Sequence, residues 1–132
     1  MRALVAAAGL LATLACGISS PSSNPTETFS GTVQVGNFDY KPFSSSKTGE
    51  FAIKLVSVSP DANAILGVYL GVPGTGTCSP LGGYYNIGRV GSPATVLSGQ
   101  VQKASYCVGV SDAGGVNALT RDENYTITVS HP

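Results

Sequence analysis

The segment GEFAIKLVSV, residues 49–58, carries the clearest structural signal in the chain. From Phe51 to Leu55 every second residue is large and apolar, whereas the residues between them are Ala52 and Lys54. An alternation with a period of two is typical of a β-strand that buries one face. The strand should end at the Ser-Pro-Asp turn signal of residues 59–61. Its apolar face then belongs to a core that other strands must complete.

Shorter runs of the same kind are spaced along the rest of the chain and are separated by turn residues. In FDYKPF (38–43), Pro42 predicts an edge strand or a bulge, because proline has no N–H for a central ladder. The remaining predicted strands are FSGTVQV (29–35), AILGVYLGV (64–72), ATVLSGQV (94–101), SYCVGV (105–110) and NYTITVSH (124–131). Seven or eight short strands at this spacing predict an all-β, antiparallel β-sandwich.

Residues 71–93 differ from the other segments, because glycine and proline interrupt them repeatedly. We predict a long ordered loop here, with room for one short strand at 85–90. Two adjacent tyrosines in it cannot point the same way in extended backbone, so one should anchor the loop and the other should be exposed. An exposed tyrosine is suited to contact a sugar or a peptide, although exposure without a role is the alternative. The candidate ligand- or partner-binding residues are Tyr84, Tyr85, Asn86 and Arg89.

The composition describes one domain with little charge. Of the 132 residues 42% are hydrophobic, which suffices for a core of ordinary size, and only 11% are charged. Seven basic residues balance seven acidic ones. A protein that binds nucleic acid needs an excess of basic side chains to neutralise phosphates, so a nucleic-acid partner is disfavoured.

The N-terminal residues MRALVAAAGLLATLAC have the pattern of an export signal. Arg2 precedes an apolar run, residues 3–15, which has the length of a signal-peptide core and is too short to span a bilayer. The end of this run resembles the lipobox of bacterial lipoproteins, although Thr13 stands where that family prefers Leu. The resemblance implies that Cys16 is acylated and anchors the protein to a membrane. An ordinary signal peptide with an incidental cysteine is the alternative.

The segment GISSPSSNPTET, residues 17–28, is rich in Ser, Pro and Thr, a composition typical of a disordered tether. We therefore divide the chain into a signal peptide at 1–15, a lipidated cysteine with its tether at 16–28, and a β-sandwich domain at 29–132. The protein should be exported and held at a bacterial membrane. The sequence is equally compatible with the periplasmic side and with the cell-surface side.

Two cysteines, Cys78 and Cys107, remain once Cys16 is assigned to the anchor. In the oxidising compartment that an exported protein reaches, they most simply form a disulfide. The chain has one histidine, His131, and no C-x-x-C spacing. We therefore predict no metal site and no cofactor.

Several short segments of the domain share a pattern with a known family. They are Gly31 to Val33, Asp39-Tyr40 with Phe43, Gly49-Glu50-Phe51, Leu66 to Leu70, Tyr106 to Val110 and Tyr125 to Val129. In these segments the chain resembles the pre-peptidase C-terminal domain family, a jelly-roll-like β-sandwich appended to secreted proteases and other exported proteins. It departs from that family at Gly109, where a charged residue is common, and in the glycine-rich segment after Leu70. The resemblance implies a jelly-roll-like order of strands.

The heptapeptide SSSKTGE, residues 44–50, raises the alternative of a small serine hydrolase. Ser44 and Lys47 have the S-x-x-K spacing of penicillin-recognising enzymes, and residues 47–49 spell their K-T-G triplet. In those enzymes the two motifs lie on separate elements, so one lysine cannot serve both. A Ser-His-Asp triad would need His131, which we expect in a frayed tail. We predict no catalytic residue and interpret 44–50 as a polar hairpin connection.

Acidic residues offer a further catalytic or calcium-binding alternative. Each of them stands beside turn residues, where a carboxylate commonly bonds the local backbone. They are Asp39, Asp61, Asp112, Asp122 and Glu123. We therefore favour structural roles for them.

These observations together favour a non-catalytic exported lipoprotein that acts as a binding or accessory module at the bacterial cell envelope. Its partner would be an envelope protein or a glycan. A purely structural envelope protein is the main alternative, and a small hydrolase is the least favoured one.

We expect metabolic labelling with a clickable fatty acid to mark the wild-type protein and to leave Cys16→Ser unmarked, since the thiol is the acceptor of the acyl chain. Labelled bands after gel electrophoresis provide the measurement. Equal labelling of the two proteins would contradict the lipoprotein interpretation.

Overall fold

The structure is a computed structural model, and it describes residues 23–132. The predicted signal peptide, Cys16 and residues 17–22 of the predicted tether lie outside the described residues. None of the described residues belongs to a helix that is long and apolar enough to cross a membrane.

Eight β-strands make up most of the described chain, together with one short 3-10 helix at Gly115–Asn117. The strands are β1 (Thr26–Val33), β2 (Phe38–Ser45), β3 (Gly49–Ser59), β4 (Leu66–Gly74), β5 (Thr77–Gly88), β6 (Leu97–Val101), β7 (Ala104–Asp112) and β8 (Glu123–Ser130). They form two four-stranded antiparallel sheets. Sheet 1 has the order β1-β8-β3-β6, and sheet 2 has the order β2-β7-β4-β5.

The path of the chain between the sheets identifies the topology. Only β4 and β5 follow one another within a sheet, and every other connection crosses from one sheet to the other. This is the order of an eight-stranded jelly roll. The predicted all-β antiparallel sandwich is therefore confirmed, with the jelly-roll-like order of strands.

The strand predicted from residues 49–58 is β3, and it lies inside sheet 1 between β8 and β6. Phe51, Ile53 and Leu55 are buried, as the alternation predicts. Burial of each such side chain contributes about 1.5–3 kcal/mol relative to exposure. A bulge between Leu55 and Ser57 then shifts the register, and it returns Val58 to the core.

Pro42 lies where the sequence predicts it, on an edge strand. Its strand β2 pairs only with β7, so the missing N–H leaves no central ladder incomplete. The predicted boundary of the domain is less accurate, because β1 already begins at Thr26 and pairs Thr26 with Ser130. Residues 26–28 thus belong to the sandwich and not to the tether.

The predicted long loop at residues 71–93 is wrong. Most of this segment is strand, because β4 continues to Gly74 and β5 runs from Thr77 to Gly88 in a hairpin with β4. The glycines that suggested a loop have two different roles within the hairpin. Gly76, with a φ of 65°, forms the turn, whereas Gly71 is buried in the hairpin beneath a sulfur atom.

Two further expectations about connections are wrong. Residues 46–48 carry the chain from sheet 2 to sheet 1 and do not form a hairpin. Ser45 is buried there and donates a hydrogen bond to the carbonyl oxygen of the exposed Lys47 at 2.8 Å. His131 is not frayed, since its ring is buried with its centroid 4.8 Å from that of Phe43, and its Nε2 lies 2.7 Å from Oε2 of Glu27.

Candidate functional site

The four binding residues predicted from the sequence do not lie on one surface. Tyr84 and Asn86 point inward from β5, Tyr85 points outward, and Arg89 follows the end of the strand in a bridge with Ser92. The Tyr84 ring lies 5.8 Å, centroid to centroid, from Phe51 in the core. Asn86 donates from Nδ2 to the Val96 carbonyl oxygen at 2.9 Å, which holds the loop after β5.

Tyr85 instead belongs to a set of side chains on the outward face of sheet 2. The register places Tyr85, Tyr69, Gly109 and Tyr40 in one row across β5, β4, β7 and β2. The adjacent row consists of Ile87, Gly67, Ser111 and Phe38. We call Phe38, Tyr40, Tyr69, Tyr85 and Ile87 the aromatic face.

Glycines under these side chains let them lie across the neighbouring strand. A Cβ at Gly109 would overlap the ring of Tyr69, and a Cβ at Gly67 would lie 2.8 Å from the Tyr85 hydroxyl oxygen. In each case the glycine is on the strand next to that of the tyrosine. Any larger residue would push the ring away from the sheet, so these glycines determine how the tyrosines lie.

The disulfide between Cys78 and Cys107 also lies over a glycine of a neighbouring strand. Its presence confirms that these two cysteines pair, as predicted from the sequence. It joins β5 to β7 across β4, and a Cβ at Gly71 would lie only 2.7 Å from the Cys78 sulfur. Tyr69 packs against this disulfide and donates from its hydroxyl to the Cys78 carbonyl oxygen at 3.3 Å. Burial raises the pKa of the Tyr69 hydroxyl, which keeps it protonated as a donor.

The aromatic face therefore has a buried layer and an exposed layer. Tyr69 is only 7% exposed, whereas Tyr85 is 54%, Phe38 49% and Ile87 37% exposed. Tyr40 is half-buried, packs against the cluster of Tyr69 and the disulfide, and has its ring 6.4 Å from that of Phe38. A rigid base thus supports side chains that remain accessible to a partner.

No outward position on the four strands of sheet 2 carries a charged residue. Apart from the aromatic face, these positions hold only Ser, Pro, Gly and the two cysteines. The charged residues of β2, Asp39 and Lys41, point to the other side and pair at 3.4 Å. The surface is consequently apolar and uncharged, with hydroxyl groups as its polar atoms.

Sheet 1 presents a different outward face. Hydroxyl and amide side chains of β1 and β8 oppose one another there, as in the Ser30–Thr126 pair at 2.9 Å. Glu50 and Lys54 add charges on β3. A face of this kind is well solvated, so the two sides of the sandwich differ sharply in what they offer to a partner.

The best-defined depressions among the described residues also lie away from the aromatic face. One of about 230 Å³ lies between the β3–β4 and β7–β8 connections, beside Asp61 and Glu123. A second of about 450 Å³ lies on the outward face of sheet 1, beside Lys54. The third, of about 190 Å³, lies along β3 and β6. The aromatic face is suited to contact a flat surface rather than to enclose a small molecule.

The acidic residues considered from the sequence all accept hydrogen bonds from backbone N–H or hydroxyl groups of the domain. Asp61 accepts from the Asn63 N–H, and Glu123 accepts from the Asp61 N–H at 3.0 Å. Asp122 accepts from the Val35 N–H, and Asp39 from the Tyr125 hydroxyl at 2.7 Å. Burial, together with this bond to Asp39, raises the pKa of Tyr125. Residues 23–132 contain no group of three or more His, Cys, Asp or Glu that could hold a metal ion.

Asp112 joins the β1–β2 and β7–β8 connections at one end of the sandwich. Burial favours its protonated form, but backbone N–H donors outweigh that effect and hold the pKa of its carboxyl below the ordinary value. The donors belong to Gly36, Gly114 and Leu119. The carboxylate is thus a structural acceptor.

No protein-family model matches the chain, and a search of curated proteins finds no significant similarity. The site therefore has to be judged on its own geometry.

Sequence reasoning missed Phe38, Tyr40 and Tyr69 as members of one surface. Their strands are far apart in the chain, and only the pairing of β2 with β7 and of β7 with β4 brings them together. A partial signal is present in the glycines, since Gly67 and Gly109 each lie between two large apolar residues of a predicted strand.

We expect Gly109→Ala to destabilise the protein by about 1–3 kcal/mol, because the added Cβ overlaps the buried Tyr69 ring. Gly82→Ala is the matched control, since a Cβ there meets no atom within 4 Å. Urea unfolding of the oxidised proteins measures both. Equal stability of the two variants would show that Tyr69 does not lie against Gly109.

We also expect Tyr84→Ala and Tyr85→Ala to differ in stability. Loss of the Tyr84 ring leaves a gap beside Phe51 and should cost about 2 kcal/mol or more. The largely exposed Tyr85 ring should cost less than about 1 kcal/mol. Urea unfolding gives both values, and a larger loss for Tyr85→Ala would reverse the assignment of inward and outward rings.

Proposed function

We propose that this protein is a non-catalytic binding module, exported and held at a bacterial envelope through a lipid on Cys16, and that the aromatic face binds its partner. The observation that carries the proposal is the exposure of Tyr85, Phe38 and Ile87 on one uncharged sheet face. Exposed aromatic side chains that share one face of a domain are typical of interaction sites.

The rigidity of the aromatic face supports a binding role. Its side chains stand on paired strands rather than on loops, and the disulfide ties β5 to β7 beneath them. A surface whose geometry is already in place loses little conformational entropy when a partner docks. A role restricted to scaffolding needs no exposed aromatic side chains held in this way.

Sequence patterns supply the remaining parts of the proposal. The apolar run before Cys16 supports export and lipidation, and the resemblance to the pre-peptidase C-terminal domain family supports an accessory role on exported proteins. The hydrogen-bonded, dispersed carboxylates favour a non-catalytic domain.

The test compares variants of the two outward faces in capture from envelope extracts. Full-length protein in mild detergent is immobilised and exposed to solubilised envelope that has been separated into protein and polysaccharide fractions. We expect Tyr85→Ala to reduce the retained material several-fold, because it removes the most exposed ring. Thr126→Ala, on the outward face of sheet 1, should retain as much as the wild type.

Two outcomes would refute this proposal. Equal loss in Tyr85→Ala and Thr126→Ala would show that capture does not depend on the aromatic face. If the wild type retains nothing above a blank matrix, the structural alternative is favoured.

A further inference from the structure

We infer that the ligand of the aromatic face is a neutral polysaccharide whose sugar rings stack on Tyr85 and Phe38. This inference rests on the proposed function and names the class of ligand. It combines the way the Tyr85 ring lies on the sheet, the lack of charge around it, and the length of the row from Phe38 to Ile87.

The Tyr85 ring is accessible to solvent. Its far end lies over Gly67, where a Cβ would be 2.8 Å from the hydroxyl oxygen and 2.9 Å from Cε2. The hydroxyl end of the ring therefore rests on the sheet, while the residue as a whole remains 54% exposed. The π-face of an aromatic ring carries partial negative charge, and it attracts the polarised C–H groups on the flat side of a pyranose.

The absence of charge selects among ligands that can stack on an aromatic ring. Nucleic-acid bases also stack, but their phosphates require basic side chains along the path of the strand. The outward positions of sheet 2 carry none, and Lys41 is paired with Asp39 on the opposite side. An acidic polysaccharide meets the same objection, since its carboxylates would lose water without gaining a counter-charge.

Hydroxyl groups around the rings match the polar groups of a sugar. Ser111 lies beside the Tyr85 hydroxyl, because both are within 3 Å of a Cβ placed on Gly67. A hydroxyl both donates and accepts hydrogen bonds, as sugar hydroxyls do, so these pairs need no particular charge state.

The flatness of the aromatic face argues against a protein partner. The strongest residues of protein interfaces fill enclosed pockets from which water is excluded. The three depressions described above lie elsewhere on residues 23–132, and the exposed side chains stand on paired strands. A sugar ring, in contrast, needs only one flat apolar surface and neighbouring hydroxyl groups.

The row of exposed side chains is long enough for more than one sugar. Phe38 and Ile87 stand at opposite edges of sheet 2 in the same row. Three strand spacings separate them, which is about 14 Å. A chain of linked sugars can therefore contact Tyr85 and Phe38 at once, whereas a single sugar cannot.

The test is depletion of full-length protein, in mild detergent, from solution by insoluble polysaccharides. The neutral probes are microcrystalline cellulose, chitin and granular starch, and the anionic probes are cross-linked polygalacturonate and heparin beads. We expect at least one neutral probe to deplete the wild type and both anionic probes to leave it in solution. A soluble oligosaccharide of the binding polymer should release the protein.

Variants assign the binding to the stacked rings. Tyr85→Ala and Phe38→Ala should each weaken binding about tenfold, because each removes one stacking surface. Tyr85→Phe keeps the ring and should bind within about threefold of the wild type, which separates stacking from loss of fold. Thr126→Ala, on sheet 1, should bind like the wild type.

Three results would overturn the inference. They are failure of all three neutral probes, stronger retention by an anionic probe, and neutral binding that survives Tyr85→Ala and Phe38→Ala. If the neutral probes fail but Tyr85→Ala still reduces capture from envelope extracts, the ligand class is wrong and the proposed binding face stands. If that capture also fails to depend on Tyr85, the proposed function falls with it.

Discussion

Close contact between aromatic rings and glycines is the constraint on which the outward face of sheet 2 depends. Tyr69 and Tyr85 lie across Gly109 and Gly67, and the disulfide lies across Gly71. A side chain at any of these glycines would raise the group above it, which would change both the packing of the buried layer and the orientation of the exposed rings. This requirement explains why glycine, which weakens a strand through its flexibility, occurs in the middle of β4 and β7.

The disulfide compensates for part of this weakness. It connects residues that are 29 apart in the chain and closes a loop that contains nearly all of β5, the whole of β6 and the start of β7. On the chain-entropy model a loop of this length stabilises the folded state by roughly 3–4 kcal/mol. Because the bond also crosses over β4, it fixes β5 relative to β7 at the place where the aromatic face is built. The disulfide thus contributes both to the stability of the domain and to the preorganisation of the candidate site.

The polar groups of the domain are mostly occupied in joining its parts. Asp112 joins the β1–β2 and β7–β8 connections at one end, Glu123 accepts a hydrogen bond from the Asp61 N–H, and the buried His131 contacts Glu27 on β1. Charged side chains do not join chain segments on the outward face of sheet 2, since that face carries neither charge nor a paired carboxylate. The proposed binding site lies on that face, because its aromatic side chains are exposed without a structural need for their exposure.

The sequence by itself determined the class of the fold, because a period of two is a local property of the backbone. Phe51, Ile53 and Leu55 alternate visibly, Pro42 excludes a central strand, and the two cysteines of the domain have one partner each. It also determined that adjacent tyrosines point to opposite sides. The register of the strands, the hairpin at residues 71–93 and the aromatic face were decided only in the tertiary structure. Phe38, Tyr69 and Tyr85 come from three strands, and they share a surface because β2, β7, β4 and β5 pair in register. Glycine was misleading for the same reason: whether it marks a turn, as Gly76 does, or makes room for a ring, as Gly109 does, depends on a neighbour that is distant in the chain.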